Sequence, residues 1–553
     1  MIIRLLAIFI LMTTFIQTYA GPEPQPTIAV LVPGSGTYSR TISTESEMAQ
    51  KFFDQGLRLA WGFYFPESIA SYQQASFYDP SHPMPYWGMA HAMGPNPNSR
   101  YAKMPDDPKG EGLRAIKNAL ARLDNATPLE AEIINAMWIF YNKDATPDKL
   151  KRDRAYLDAM RNLNQKYPMD SDIAALYAAS YMNIGKWDYW DAEGNPKDET
   201  LPVAEALEKI LEQDLTNPGV MHLHIHLLEA SMEPQRALIS ADNLEASVPI
   251  AGHVVHMPAH IYVRTGDFKK AIDNNIRSQK VDGEFAQIWG DLPMPNIGTY
   301  PLSHKIHAGH AIDFIRYAAT VQGNYGTAID AALAAKAKVL TYNNVHRYQK
   351  SIAAPWLIYK IFGQWDELLG KTPSHSGMPY LDGIWAYAQG SALLAIGDTE
   401  GARQELDKLQ TIANAPDADQ YRAGPTPVSS IIKLAAFGLD GEIKQKAGNL
   451  VAAIKAFESA VALEDLNNYT EPPDWAQPMR NYLGAAFMEA GRYAEAEAVY
   501  RRDLKWNHNN GWSMFGLHKA LDAQGKSSEA AATEKQFEIA WQYADIELTR
   551  SRL

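Results

Sequence analysis

A glycine, an aromatic two residues later and an alanine three beyond that recur along this 553-residue chain, and they constrain its fold more than anything else in it. The pattern reads Gly266/Phe268/Ala271, Gly323/Tyr325/Ala328 and Gly491/Tyr493/Ala496. The clearest full copy runs from 477 to 510, with Leu483-Gly484, Phe487, Gly491-Arg492-Tyr493, Ala496 and Tyr500. Gly56, Leu59, Tyr72, Ala75 and Pro80 fit a first copy. Further copies are Gly390, Leu393, Ala402, Leu406 and Leu409, then Gly448, Ala453, Phe457 and Ala460, with a weaker one at Gly185-Lys186-Trp187. Units of this length and pattern are helix–turn–helix hairpins that bury their apolar face only by stacking on one another. The segments between them are rich in Ala, Leu and Glu with helical periodicity, and no strand is expected. Insertions rich in Pro, Gly and Asn interrupt the array at 94–110, 188–202, 283–303, 371–380 and 411–426.

The pattern is that of tetratricopeptide repeats, and the resemblance implies an all-α, right-handed superhelix, an α-solenoid with irregular repeats and loop insertions. Residues 1–20, with Arg4 ahead of an apolar run from Leu5 to Ile16 and Ala20 at the end, read as a cleaved signal peptide. Residues 21–46 read as an extended lead-in, with Val32-Pro-Gly-Ser-Gly36 flexible. Residues 47–170 form N-terminal repeat-like helices with an inserted loop, 171–340 the central units and 341–545 the C-terminal units. The expected location is periplasmic or secreted, with no membrane span in the mature chain. There is no cysteine, so any metal must be held by His, Asp, Glu or backbone oxygen. A net charge of −13 without a basic stretch argues against nucleic acid and anionic membrane surfaces.

Two histidine pairs, His222/His226 and His256/His260, lie 34 residues apart, one repeat length. Within each pair the spacing of four puts both rings on one helix face. Repeat phase can be fixed without any histidine. Ala237, Ala241 and Leu244 start one unit at 218; Gly266, Phe268 and Ala271 start the next at 252; Gly323, Tyr325 and Ala328 start a third at 309. In that phase His222, His226 and Glu229 take positions 5, 9 and 12 of the first unit. His253, His256 and His260 take positions 2, 5 and 9 of the second; His310, Asp313 and Tyr317 take the same positions of the third. The tetratricopeptide resemblance implies that these positions line the concave groove. All candidate ligands then face one groove, and nine of the 15 histidines fall between 222 and 310.

Imidazole with a minority of carboxylate suits Cu, Zn or Fe and disfavours Ca and Mg. The set His222, His226, Glu229, His253, His256, His260, His310 and Asp313 exceeds what one ion needs, so one or two ions are expected, with some members orienting others. His226-x-x-Glu229 and His310-x-x-Asp313 resemble, reversed, the Glu-x-x-His element of di-iron bundles. Paired three-histidine sets would equally suit a coupled copper pair. Glu229 or Asp313 could serve as general base. His224 points away and reads as structural, and the 283–303 insertion, with Trp289, Met294 and Pro301, reads as a lid. No Gly-rich phosphate loop, Gly-x-Ser-x-Gly elbow or cysteine nucleophile is present.

Phe53-Asp-Gln-Gly-Leu57, Trp87-Gly88, Gly94-Pro-Asn96, Gly252-His253-x-x-His256-Met-Pro-x-His260-Ile-Tyr262 and Glu471-Pro-Pro-x-Trp475 carry a closer likeness. So do Leu483-Gly-Ala-Ala, Ala490-Gly-Arg492, Tyr500-Arg501 and Asn510-Gly-Trp512. With these the chain resembles a family of exported bacterial tetratricopeptide-repeat proteins carrying HxxHMPxH, largely of unassigned function. That family usually shows His-Asn-x-His-Phe where this chain has His310-Ala-Ile-Asp313-Phe314. The resemblance implies the fold and the site, and no reaction. The resulting expectation is a metal-dependent oxidoreductase or hydrolase acting on a small molecule or peptide in the groove. The alternatives are a metal-independent scaffold for a protein or peptide partner, and a metal storage or delivery protein.

Overall fold

The computed structural model describes residues 27–94, 110–191, 194–292, 303–341, 345–346, 348–423, 426–467 and 469–553. Across them the chain runs as consecutive helical hairpins. Examples are Glu47–Trp61 with Phe65–Tyr78, Pro379–Ala395 with Thr399–Ala413, Met479–Glu489 with Tyr493–Trp506, and Gly511–Ala523 with Ser527–Ala540. Each helix packs on the next, so the apolar faces merge into one continuous seam of core and the fold is an all-α tetratricopeptide-type α-solenoid. Among the described residues no helix is long and apolar enough to cross a membrane. The only β-pairings among them are small and lie in insertions. Arg422–Ala423 pairs antiparallel with Thr426–Pro427, and Trp190 bridges Pro196, where no strand was expected.

The recurrent glycines explain the hairpin turns. Gly266, Gly323 and Gly491 all sit in the left-handed region, at φ 82, 76 and 70. The next N–H reaches back to the carbonyl five residues earlier: Asp267 to Tyr262 at 2.8 Å, Asn324 to Ala319 and Arg492 to Phe487 at 2.9 Å. This closes the first helix while the backbone turns, and glycine adopts it without a Cβ clash. Position 218 is a true unit start: the helix Pro218–Leu228 opens with Asn217 accepting from the N–H groups of Gly219 and Val220. Position 252 begins the helix Gly252–His256, but Pro258 interrupts it and a second segment runs Pro258–Thr265. Position 309 lies inside a longer helix, Ser303–Val321, rather than at its start.

Two expectations are corrected. The Val32–Gly36 stretch is packed, not flexible. The Val32 N–H donates to Gln55 Oε1 at 2.7 Å and the Ile250 N–H to the Gly34 carbonyl at 3.2 Å. A Cβ on Gly36 would lie 1.9 Å from the Ser247 oxygen. The 283–303 segment is in its first part the end of a helix, Phe268–Trp289, with Trp289 buried and stacked on Phe285. Trp289 belongs to the core, because its ring finds apolar surface on its own helix. Met294 and Pro301 lie outside the described residues, as do the signal segment 1–20 and most of the 94–110 insertion.

The C-terminal units fold back onto the central ones. Buried Arg264 donates to the carbonyls of Glu229 (2.8 Å), Ser231 (3.0 Å) and Trp506, with its guanidinium 3.7 Å from the Trp506 ring centroid. This contact brings Tyr469 and Glu471 over the helices that carry the histidines.

Candidate metal centre

The helix Pro218–Leu228 approaches the first hairpin closely because residue 219 is glycine: a Cβ there would lie 2.4 Å from the Trp61 ring. The approach lets His222 donate through Nδ1–H to the Trp61 carbonyl oxygen. His226, one turn on, donates through Nδ1–H to Glu229 Oε1 at 2.7 Å. From the neighbouring unit, His260 donates through Nδ1–H to Glu229 Oε2 at 2.6 Å. Glu229 thus orients one histidine from each of two repeats, and it accepts the Tyr469 hydroxyl as well, at 2.8 Å. His256 donates through Nδ1–H to Asn275 Oδ1. The Asn275 amide cannot turn over, because its Nδ2 donates to the Ala271 carbonyl at 2.7 Å.

These partners fix tautomers. A backbone carbonyl, a carboxylate and an amide oxygen only accept, so each of the four histidines carries its proton on Nδ1 and, when neutral, an acceptor lone pair on Nε2. The Nε2 atoms of His256 and His260 face each other at 2.8 Å. Two lone pairs at that distance repel unless a cation sits between them or beside both. A proton on His260 would answer that one pair, but the Nε2 of His226 is also buried, with no hydrogen-bond partner among the described residues. His253 Nε2 lies 3.2 Å from His222 Nε2.

The donors gather into two adjacent sets. His222, His226 and His253 form one triad and His256, His260 and His310 the other, with one donor atom from each member within 4.8 Å of the others. His226, Glu229, His260 and Glu471 form a third cluster of the same tightness, on the side of the rings that carries the Nδ1 bonds. The ring centroids of His226 and His260 are 5.4 Å apart, so the triads adjoin. Two sets of three imidazoles, with His222, His226, His256 and His260 each held from behind by an oxygen, are the donor chemistry of first-row transition ions.

Electrostatics follows the same layout. Burial acts to lower the His260 pKa, but Glu229 and Glu471 more than offset it and push it up to about 10. Burial, with His260 and His310 beside it, holds His256 well below the usual imidazole value. Burial acts to raise Glu471, and the facing His260 and His310 bring it well below the usual carboxylate range. Glu229 is lowered as well: burial and Glu471 oppose, and His260 and His226 prevail.

Seven of the eight sequence-derived candidates come together: His222, His226, Glu229, His253, His256, His260 and His310. Asp313 does not join them. Its Oδ1 lies 3.5 Å from Arg316 Nε, one turn further along a half-buried stretch of the same helix, and an ion pair there competes with any inward orientation. Neither carboxylate suits the general-base role first considered: Asp313 is elsewhere, and both oxygens of Glu229 are occupied in holding rings. His224 is structural, bonded to Ser240 Oγ at 2.9 Å and 3.5 Å from Glu208. Sequence reasoning missed Glu471, 2.8 Å from His260 and 3.7 Å from His310, and also Tyr469. The signal was the Glu471-Pro-Pro-x-Trp475 motif, which repeat phase could not place because it lies in a loop between units.

No protein-family model and no curated protein matches the chain. Among solved structures it is similar to the human IFIT1 dimer with m7Gppp-AAAA, at 13% identity over 90% of this chain and 96% of that one, TM-score 0.35. It is also similar to the APC/C hetero-tetramer Cut9-Hcn1, at 12% identity over 89% and 77%, TM-score 0.30. A third is the P58(IPK) TPR domain, at 13% identity over 87% and 99%, TM-score 0.21. Likenesses this distant say nothing of function. The class is therefore defined by the molecule itself: a tetratricopeptide-type solenoid with a buried histidine cluster between its central units.

Proposed function

We propose that the protein binds two transition-metal ions (Cu, Zn or Fe), one in each histidine triad, and acts on a small molecule or peptide in the groove as a metal-dependent enzyme. The observation that carries this reading is the set of Nδ1 bonds to Trp61, Glu229 and Asn275, which aim four Nε2 atoms into one cluster, where that of His226 has no hydrogen-bond partner among the described residues. A satisfied polar core would pair the buried His226 nitrogen with a donor. Glu229 and Asn275 hold rings in place, and Glu471 supplies the negative charge that balances a cation. Elemental analysis of purified protein tests the reading. It expects transition metal in stoichiometric amount, falling sharply in the His256→Ala/His260→Ala double variant. Unchanged metal content in that variant would remove the triads as the binding site.

One observation favours a second role, as a scaffold for peptide or protein partners. The chain's own segment 28–32 is read through its backbone by Gln74 and Gln55: the N–H groups of Ile28 and Val32 donate to them at 2.7 Å, and Gln55 Nε2 donates to the Val30 carbonyl at 2.8 Å. Such side chains suit any extended peptide. Binding of a partner retained by the histidine-free variant would support that role. Export rests on the N-terminal apolar segment alone; Edman sequencing of the protein recovered outside the cytoplasm should begin near Gly21.

A further inference from the structure

The hairpin turns of this solenoid place glycine in the left-handed position at Gly266, Gly323, Gly363, Gly397, Gly448, Gly491 and Gly525, with φ between 66 and 89. In each, the following N–H reaches the carbonyl five residues before it. The first hairpin makes the same turn, with the Tyr64 N–H bonded to the Leu59 carbonyl at 2.9 Å, but the left-handed residue is Phe63, at φ 60. A bulky side chain rarely adopts this conformation, and one that does is held there by its surroundings.

The surroundings are the first triad. The Phe63 ring centroid lies 4.2 Å from His222, 5.3 Å from His253 and 5.9 Å from His226, and the residue is 3% exposed. A second aromatic in the left-handed region, Trp187 at φ 72, lies 5.7 Å from His226. The two aromatic residues in the left-handed region therefore both put a ring against this triad, Phe63 against all three histidines and Trp187 against His226. The second triad differs. Phe314 packs on it from an ordinary helix, and His310 is 32% exposed beside Glu471 at 17%. The first triad has no exposed member.

We infer that the two metal positions are unequal: Phe63 closes the His222/His226/His253 position to outside ligands, and only the His256/His260/His310 position admits a small anionic or neutral donor from the groove. Phe63 is a positioning and excluding residue, placed by a strained turn. The inference rests on the two-metal reading, and the two can fail separately. The test uses full-length protein loaded with Cu(II), with copper measured by elemental analysis and azide titrated by calorimetry alongside the azide-to-copper charge-transfer band. Wild type should hold two copper ions and bind one azide. Phe63→Gly, which frees the turn and removes the ring, should keep both copper ions and bind two. Phe63→Asn, whose side chain tolerates the left-handed turn, should do the same and serves if the glycine variant does not fold. Less than one copper in wild type would overturn the metal reading itself. With two copper ions bound, no azide or two azides in wild type, or a single azide in both variants, would overturn the inequality alone.

Discussion

Two buried polar clusters in this molecule invite comparison. In the C-terminal units, Lys360 donates to Glu442 Oε1 and to the Tyr482 hydroxyl, both at 2.9 Å, and lies 4.5 Å from the Tyr387 ring centroid. Ser391 donates to Glu442 Oε2 at 2.6 Å, and Arg552 stands 3.6 Å from Oε1 while bonded to Gln445 at 2.8 Å. Every charge there meets its opposite inside the protein. The histidine cluster is not closed on itself: the Nδ1 atoms of His222, His226, His256 and His260 have oxygen partners, while the Nε2 atom of His226 has no hydrogen-bond partner among the described residues and those of His256 and His260 face each other. A polar cluster that completes its own pairing holds the fold together, whereas one that leaves acceptors converging is arranged for a cation from outside.

The contrast can be broken experimentally. The largest effect belongs to Lys360→Met, which strands Glu442 without its main cation. Chemical denaturation should show a loss of about 3–5 kcal/mol, with metal content unchanged. Glu229→Gln should do the reverse, leaving the fold intact while competition with a chelator shows metal affinity falling by about 10–100-fold, because two rings lose the carboxylate that orients them. His224→Ala, removing a histidine that is paired inside the protein, should cost about 1–3 kcal/mol on denaturation and nothing in metal content. If His224→Ala depleted metal, the division between structural and ligand histidines would be wrong.

A pH-dependent effect sharpens the comparison with a carboxyl that has neither arrangement. Asp282 is buried against the Tyr64 hydroxyl, with no salt-bridge partner among the described residues, and burial pushes its pKa up to about 7. Its folded pKa is raised, so the folded state holds the proton more tightly than the unfolded chain. Its contribution to stability is full below about pH 4 and is lost as pH rises to about 7. Denaturation midpoints of wild type and Asp282→Asn should therefore diverge over that window, in favour of the variant, and run parallel above it.

Much of this was legible in the residue order. The turn glycines and the alanines after them fixed the phase, and the phase put His222, His226, His256 and His260 on facing helices, where they are. Glycine reads so well because its left-handed turn is a local requirement of the backbone. What was not legible depends on distant chain. Glu471 and Tyr469 arrive from a loop more than 200 residues later, positioned by Arg264 against Trp506, and no repeat arithmetic reaches them. Asp313 failed for a local reason: its position in the repeat is a groove position, but Arg316 on the same helix gives it another partner. Phe63 was hidden by the rule itself, since a phenylalanine in a glycine position does not announce the conformation it adopts.

The most direct test of the central claim is the metal content of wild-type protein purified under metal-replete conditions and freed of loosely bound ions. The account predicts about two equivalents of transition metal per chain. Less than about 0.2 equivalents would contradict it and leave the histidines as a metal-free polar core.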